Sequence, residues 1–189
     1  MMNLTVDPKT GCLSGIRFAP SPNCDQRPPD TPIELVVIHG ISLPPGEYGG
    51  PYIEDLFLNR LDPSAHPYFK DIADLRVSAH LLIRRDGSMV QFVPFPWRAW
   101  HAGESRYEGR PYCNDFSIGI ELEGVDTSRY SSVQYDVLGA VLHALVEAYP
   151  SLRAVRGHAQ IAPGRKTDPG PAFDWGRLAS RTPEGLSLG

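Results

Sequence analysis

The 189 residues carry 18 lysines and arginines against 22 aspartates and glutamates, a net charge of −4 without any basic run, which argues against nucleic acid or an anionic membrane as the main partner. The length suffices for one domain with a real core, and 19 prolines and 18 glycines in short scattered clusters imply long ordered loops on a compact scaffold. No apolar run approaches 18 residues, no export signal is visible, and Cys12, Cys24 and Cys113 lack a Cys-x-x-Cys spacing. Reduced thiols in a cytoplasmic protein are therefore expected, with a Cys12–Cys24 bridge the less favoured alternative.

Residues 1–32 are broken by Pro8, Gly11, Gly15, Pro20, Pro22, Pro28, Pro29 and Pro32 and read as a wrapping arm. The domain is expected over 20–180, preceded by an arm at 1–19 and followed by a mobile tail at 181–189. From Ile33 the β-branched run Ile-Glu-Leu-Val-Val-Ile-His reads as a central strand ending on His39 and Gly40, where open α/β sheets place working groups. Pro51 suits the first turn of a short helix with Ile53, Leu56 and Phe57 on one stripe. His66-Pro67-Tyr68-Phe69 leads into a brief helical turn. Val77–Ile83 and Met89–Pro94 flank Arg85-Asp86-Gly87-Ser88 as a hairpin.

Residues 97–112 are an aromatic loop without period. From Phe116 the chain alternates strictly: Phe116, Ile118, Ile120 and Leu122 face one way, and Ser117, Gly119, Glu121 and Glu123 the other. The small neighbours Ser117 and Gly119 are expected to leave Glu121 projecting into a cavity. Ser131-x-x-Gln134 is a capping box opening a helix that buries Val137, Leu138, Val141, Leu142 and Leu145 and stops at Pro150. Residues 153–157 return toward the sheet, and Asp174 caps a last short helix.

The stretch from Gly157 to Pro171 brings His158, Lys166 and Asp168 together in a segment whose glycines and prolines forbid a continuous helix. Lys166 and Asp168 are two apart before Pro169, so their side chains can lean to one side. Lys166 is either an ordinary ion-pair partner of Asp168 or a cation held beside a bound dication for a task of its own. Of the six histidines, His143 falls on the polar side of the long helix, and His66 and His80 read as structural or substrate-lining. For His101, packing and ligand contact are equally open. His39 and His158 each close a strand-like segment beside glycine. Either alone is more often a hydrogen-bonded core histidine, but with Asp168 they would make a His-His-Asp set with one open position, as catalytic zinc sites are built.

Several strings carry a resemblance: Val37-Ile38-His39, Ile41-Ser42-Leu43-Pro44-Pro45-Gly46, His66-Pro67-Tyr68-Phe69, Arg76-Val77-Ser78-Ala79-His80, Ala99-Trp100-His101-Ala102-Gly103, Cys113 through Glu121, and Arg165-Lys166-Thr167-Asp168-Pro169-Gly170-Pro171. Over roughly residues 20–178 the chain resembles the AmpD family of bacterial zinc N-acetylmuramoyl-L-alanine amidases. The resemblance implies an α/β single domain, a central mixed sheet flanked by helices, as in peptidoglycan recognition proteins and phage amidases. It implies a cytoplasmic peptidoglycan-recycling hydrolase that cuts the amide between the lactyl group of 1,6-anhydro-N-acetylmuramic acid and L-alanine. Zn2+ would sit on His39, His158 and Asp168, with Glu121 and Lys166 as the catalytic pair. Tyr68, Arg76, Trp100, His101 and Asn114 are candidates for gripping the sugar and peptide, since planar, aromatic and amide groups suit a glycan bearing carboxylates. The expected partner is a small anhydro-muropeptide, not a nucleic acid or a membrane, and the chain is read as a monomer. Gly40 departs from the pattern: family members usually have an asparagine there that can touch substrate.

Overall fold

The computed structural model describes residues 3–189. Along the chain run β1 (Arg17–Phe18), β2 (Cys24–Gln26), β3 (Leu35–Ile41), α1 (Tyr52–Phe57), β4 (Leu81–Ile83), β5 (Met89–Gln91), β6 (Trp97–Ala99), β7 (Arg106–Tyr107), β8 (Arg110–Pro111), β9 (Ser117–Glu123), α2 (Ser132–Ala148), β10 (Ala154–Gly157), α3 (His158–Ile161), α4 (Trp175–Ala179) and β11 (Ser187–Leu188). A 3-10 turn over Pro67–Asp71 opens with the His66 ring accepting from the Tyr68 amide. The main sheet has the order β1-β5-β4-β9-β3-β10-β11, mixed because β4 and β5 form an antiparallel hairpin while the other neighbours run parallel. This is the expected architecture.

β3 and β9 sit at the centre and are buried on both faces, as their near-continuous apolar sequence requires. On one face Val36, Ile38, Leu81, Ile83, Ile118, Ile120 and Leu122 meet Val137, Leu138, Val141, Leu142 and Leu145 of α2. Each such side chain contributes about 1.5–3 kcal/mol when fully removed from water. The capping box forms as the sequence dictates: the Ser131 hydroxyl accepts from the Gln134 amide, and the Gln134 side chain accepts from the Ser131 amide. Buried Gln134 also donates to the carbonyls of Ile83 and Glu123, which ties the start of α2 to the ends of β4 and β9. On the opposite face Leu35, Val37 and Ala154 of the sheet pack with Phe116, Ile161, Ala102, Cys113 and Tyr107 of β7, and beside them lie Phe57, Phe69, Leu82, Val90 and Phe92.

Register places the chemistry. His39 on β3 stands opposite Glu121 on β9, and Gly157 on β10 pairs with Ile38 on β3, so His158 leaves the sheet directly beside His39. Four expectations needed revision. Residues 77–80 are not strand: the Ser78 amide turns to the Trp100 carbonyl and its hydroxyl to the Asn23 carbonyl, so regular pairing starts only at Leu81. The aromatic loop is not wholly irregular, since β6 pairs with β2 and β7 with β8; strands of two or three residues are too short to leave a period. The arm adds β1 to one edge of the sheet. The tail, expected to be mobile, adds β11 to the other edge beside β10, where Arg156 donates to both the carbonyl and the hydroxyl of Ser187.

Candidate metal centre and catalytic cavity

Three donors converge above the C-terminal ends of β3 and β10. The Nδ1 atoms of His39 and His158 lie 3.0 Å apart, and Asp168 Oδ2 is 3.2 Å from the first and 3.1 Å from the second. His158 opens α3, and the Ala159 amide donates to the Asp168 carbonyl, folding the later part of the loop back onto its start. Both imidazoles are 2% exposed. The far nitrogens are also engaged: His158 Nε2 faces the Ala102 carbonyl at 3.1 Å and His39 Nε2 faces His101 Nδ1 at 2.9 Å. A carbonyl can only accept, so His158 carries its hydrogen on Nε2 and turns a bare Nδ1 lone pair toward Asp168.

Electrostatics agree with a ligand set. Burial pushes His39 down to about 4, against the opposing pull of Asp168, so its ring is neutral at pH 7 as a metal ligand must be. Burial alone would raise the Asp168 carboxyl, but the adjoining His158 and His39 imidazoles outweigh it and hold the group below the ordinary carboxylate range. Two imidazole nitrogens and one carboxylate oxygen, open on one side, suit a divalent cation with a place left for solvent.

The open side is a cavity of about 600 Å³, large enough for a small glycopeptide. Glu121 and Lys166 both line it. Glu121 is 8% exposed, and its Oε2 has no hydrogen-bond partner. Burial, then the nearby Asp168 charge, pushes its carboxyl well above the usual range, while Lys166 pulls it down. Lys166 is exposed, and among the described residues it forms no ion pair with Asp168 or any other carboxylate. Ser117 and Gly119 do not leave empty room beside Glu121. His101 fills that space, and a Cβ on Gly119 would lie 2.4 Å from its Cγ.

The candidate gripping residues divide. Tyr68 lines the cavity at 42% exposure, beside Leu75 at 46%, an apolar lip suited to a sugar ring. His101 lines the cavity too, but its Nδ1 and Nε2 are taken by His39 and Ser117. Arg76, Trp100 and Asn114 lie outside the lining. Arg76 is exposed and its guanidinium turns toward the carbonyls of Ala73 and Leu75. The Asn114 amide oxygen accepts from the backbone N–H groups of His101 and Ala102, so it holds a loop where a substrate contact was expected. Sequence reasoning missed Tyr130. This side chain is 3% exposed and donates its hydroxyl to the Pro169 carbonyl at 3.0 Å, next to Asp168. At Gly40 a Cβ would sit 2.3 Å from the Tyr130 hydroxyl oxygen; the absent side chain is what lets the tyrosine reach the ligand loop. Only the departure at Gly40 itself was readable in advance.

The N-acetylmuramoyl-L-alanine amidase family model matches residues 29–171. The 1,6-anhydro-N-acetylmuramyl-L-alanine amidase AmpD of Escherichia coli (strain K12) is 61% identical over 169 residues, covering 89% of this chain and 92% of the relative. Among solved structures, a selenomethionine derivative of AmpD superposes with a TM-score of 0.91 at 56% identity, covering 97% of this chain and 100% of that one. The amidase AmiD from E. coli, in complex with the substrate anhydro-N-acetylmuramic acid-L-Ala-D-gamma-Glu-L-Lys, superposes with a TM-score of 0.58 at 30% identity, over 86% of this chain and 61% of that one. With the matched segment spanning the strands and loops that deliver His39, Glu121, His158 and Asp168, this chain belongs to the N-acetylmuramoyl-L-alanine amidase family.

Proposed function

We propose that the chain hydrolyses the amide joining the lactyl group of 1,6-anhydro-N-acetylmuramic acid to L-alanine, with Zn2+ held by His39, His158 and Asp168. The observation that carries this reading is the convergence of two Nδ1 atoms and one carboxylate oxygen within 3.2 Å of one another at the floor of a cavity that also holds Glu121 and Lys166. A zinc ion so held supplies Lewis acidity and a hydroxide nucleophile near neutral pH.

The chain's own groups do the rest. The raised, unpartnered Glu121 carboxyl is matched to a proton carrier: it takes the proton of the attacking water and hands it to the departing amine of L-alanine. Lys166, free of a carboxylate partner, places its ammonium toward the oxygen on which negative charge gathers as the carbonyl becomes tetrahedral. Tyr68, Leu75 and Ile72 shield that face from water and seat the sugar. The reading extends to recycling of soluble cell-wall fragments in the cytoplasm by a monomer. No helix among the described residues is long and apolar enough to cross a membrane.

The test is cleavage of purified anhydro-muropeptide against intact sacculi, followed by release of the L-alanyl peptide. The reading requires turnover of the former, its loss on chelation and its return with Zn2+. Turnover that survives chelation, or is confined to sacculi, would refute it.

A further inference from the structure

The segment His101–Ala102 addresses both metal-ligand imidazoles at once, one through a side chain and the other through a carbonyl. The hydrogens along it can be placed by elimination. The Cys113 carbonyl accepts the Ser117 hydroxyl at 2.6 Å, so the Ser117 oxygen faces His101 Nε2, 3.1 Å away, as an acceptor. That puts the His101 hydrogen on Nε2 and leaves Nδ1 bare. The bare Nδ1, 2.9 Å from His39 Nε2, then fixes the His39 hydrogen on Nε2 and leaves His39 Nδ1 free to face Asp168 and His158. The direction of the whole chain is set at its far end by a main-chain carbonyl, which has no hydrogen to give.

The chain is held from three sides. His101 stands edge-on to His39, with ring centroids 5.0 Å apart and an interplanar angle of 85°. Gly119 supplies the gap the ring fills, since a Cβ there would overlap it. The Asn114 amide oxygen clamps the His101 and Ala102 amides at 3.2 and 2.8 Å, which fixes the His101 backbone and aims the Ala102 carbonyl at His158.

We infer that His101 is a positioning residue. Through the Cys113–Ser117–His101–His39 hydrogen-bond chain it locks His39 in the tautomer that offers Nδ1 to the metal, and Asn114, by clamping the His101 and Ala102 amides, holds the loop that presents the Ala102 carbonyl to His158. The inference rests on the metal reading above but assigns these two side chains to the ligands, not to the substrate. Outer partners of this kind are generally worth about 10- to 100-fold in metal affinity.

The experiment is competition of the full-length protein with a chromophoric chelator for Zn2+, on wild type, His101→Phe, His101→Asn, Ser117→Ala and Asn114→Ala, with KM and kcat measured on anhydro-muropeptide alongside. His101→Phe should lose about 10- to 100-fold in zinc affinity with KM unchanged. His101→Asn, which keeps an acceptor near the Nδ1 position, should recover part of that loss, and Ser117→Ala and Asn114→Ala should fall between wild type and His101→Phe. Unchanged zinc affinity with a raised KM in His101→Phe would make the ring a substrate contact and overturn the inference. The imidazole 15N shifts of the wild-type protein give a second decision that needs no variant to fold. Both His39 and His101 should be the Nε2–H tautomer, and an Nδ1–H His101 would overturn the proposal. Those shifts report on the hydrogen-bond chain in the metal-free protein too, so failure of zinc binding in the wild type would refute the metal reading separately.

Discussion

The contact between Gly40 and Tyr130 allows a quantitative check of how the ligand loop is braced. In Gly40→Ala the new methyl would lie 2.3 Å from the Tyr130 hydroxyl oxygen, against about 3.5 Å for ordinary contact, so the oxygen must retreat by roughly 1 Å. Tyr130 has little freedom to comply: it is 3% exposed, its ring lies directly over Gly124, and it packs edge to face on Phe173 with centroids 5.6 Å apart. Displacing it breaks the bond to the Pro169 carbonyl. An unpaired buried acceptor costs about 1–3 kcal/mol and overpacking about 1–3 kcal/mol more. A total near 3 kcal/mol would lower Tm by about 6–12 °C for a chain of this size. In a Tyr130→Phe background the colliding oxygen is gone, and Gly40→Ala should then cost under about 1 kcal/mol. Thermal and urea unfolding of the four proteins of this cycle, with chelator present throughout, measure the coupling. Single-variant costs that add to within about 0.5 kcal/mol would show that the hydroxyl does not occupy the space in question.

Other expectations concern the cavity. Glu121→Ala should retain stoichiometric zinc by metal analysis while kcat falls about 10²- to 10⁴-fold; loss of the metal would mean that the carboxylate is a ligand. Lys166→Ala should lower kcat about 10²- to 10³-fold with zinc content unchanged, and a change confined to KM would remove it from the oxyanion role. In metal-free protein, acid should destabilise the fold. Burial holds His80 at about 3, His39 at about 4 and His101 well below the normal imidazole value. Between pH 6.5 and about 4 the unfolded chain therefore takes up protons on these imidazoles that the folded chain resists. Glu121, whose carboxyl burial pushes upward in the folded state, opposes them. The imidazoles outnumber it, so stability rises with pH across that window. Urea titrations at pH 7 and pH 5 giving the same unfolding free energy would contradict this burial-based assignment.

The sequence and the coordinates agree best where a local rule acts alone. The Ser131/Gln134 capping box, the Asp86–Gly87 hairpin and the alternation from Ser117 to Glu123 each need only neighbouring residues to be read, and each is present; Phe116, expected on the face of Ile118, Ile120 and Leu122, precedes the strand and packs on the opposite face with Leu35 and Val37. The meeting of His39 and His158 was reachable from their positions at strand ends beside glycine, although spacing alone could not choose between ligands and core histidines; the parallel register of β3 and β10 makes them neighbours, and Asp168 joins them from the loop. The roles of the glycines on the cavity side were not legible. Gly119 reads as open space in sequence, yet His101 arrives from a loop 18 residues upstream to fill it. Asn114 reads as a ligand-binding amide, and only the path of the main chain shows that its oxygen is spent on two backbone amides. The arm and tail fail for a related reason: a two-residue strand carries no period, so β1 and β11 leave no mark in the sequence.

The placement of β11 bears on how the molecule survives trimming. β10 runs straight into His158, and without Ser187 and Leu188 its outer ladder would stand bare, an invitation to pair with a strand of another molecule. Clipping the last few residues would thus be felt first as clumping of otherwise folded enzyme, with the slackening of one imidazole following behind.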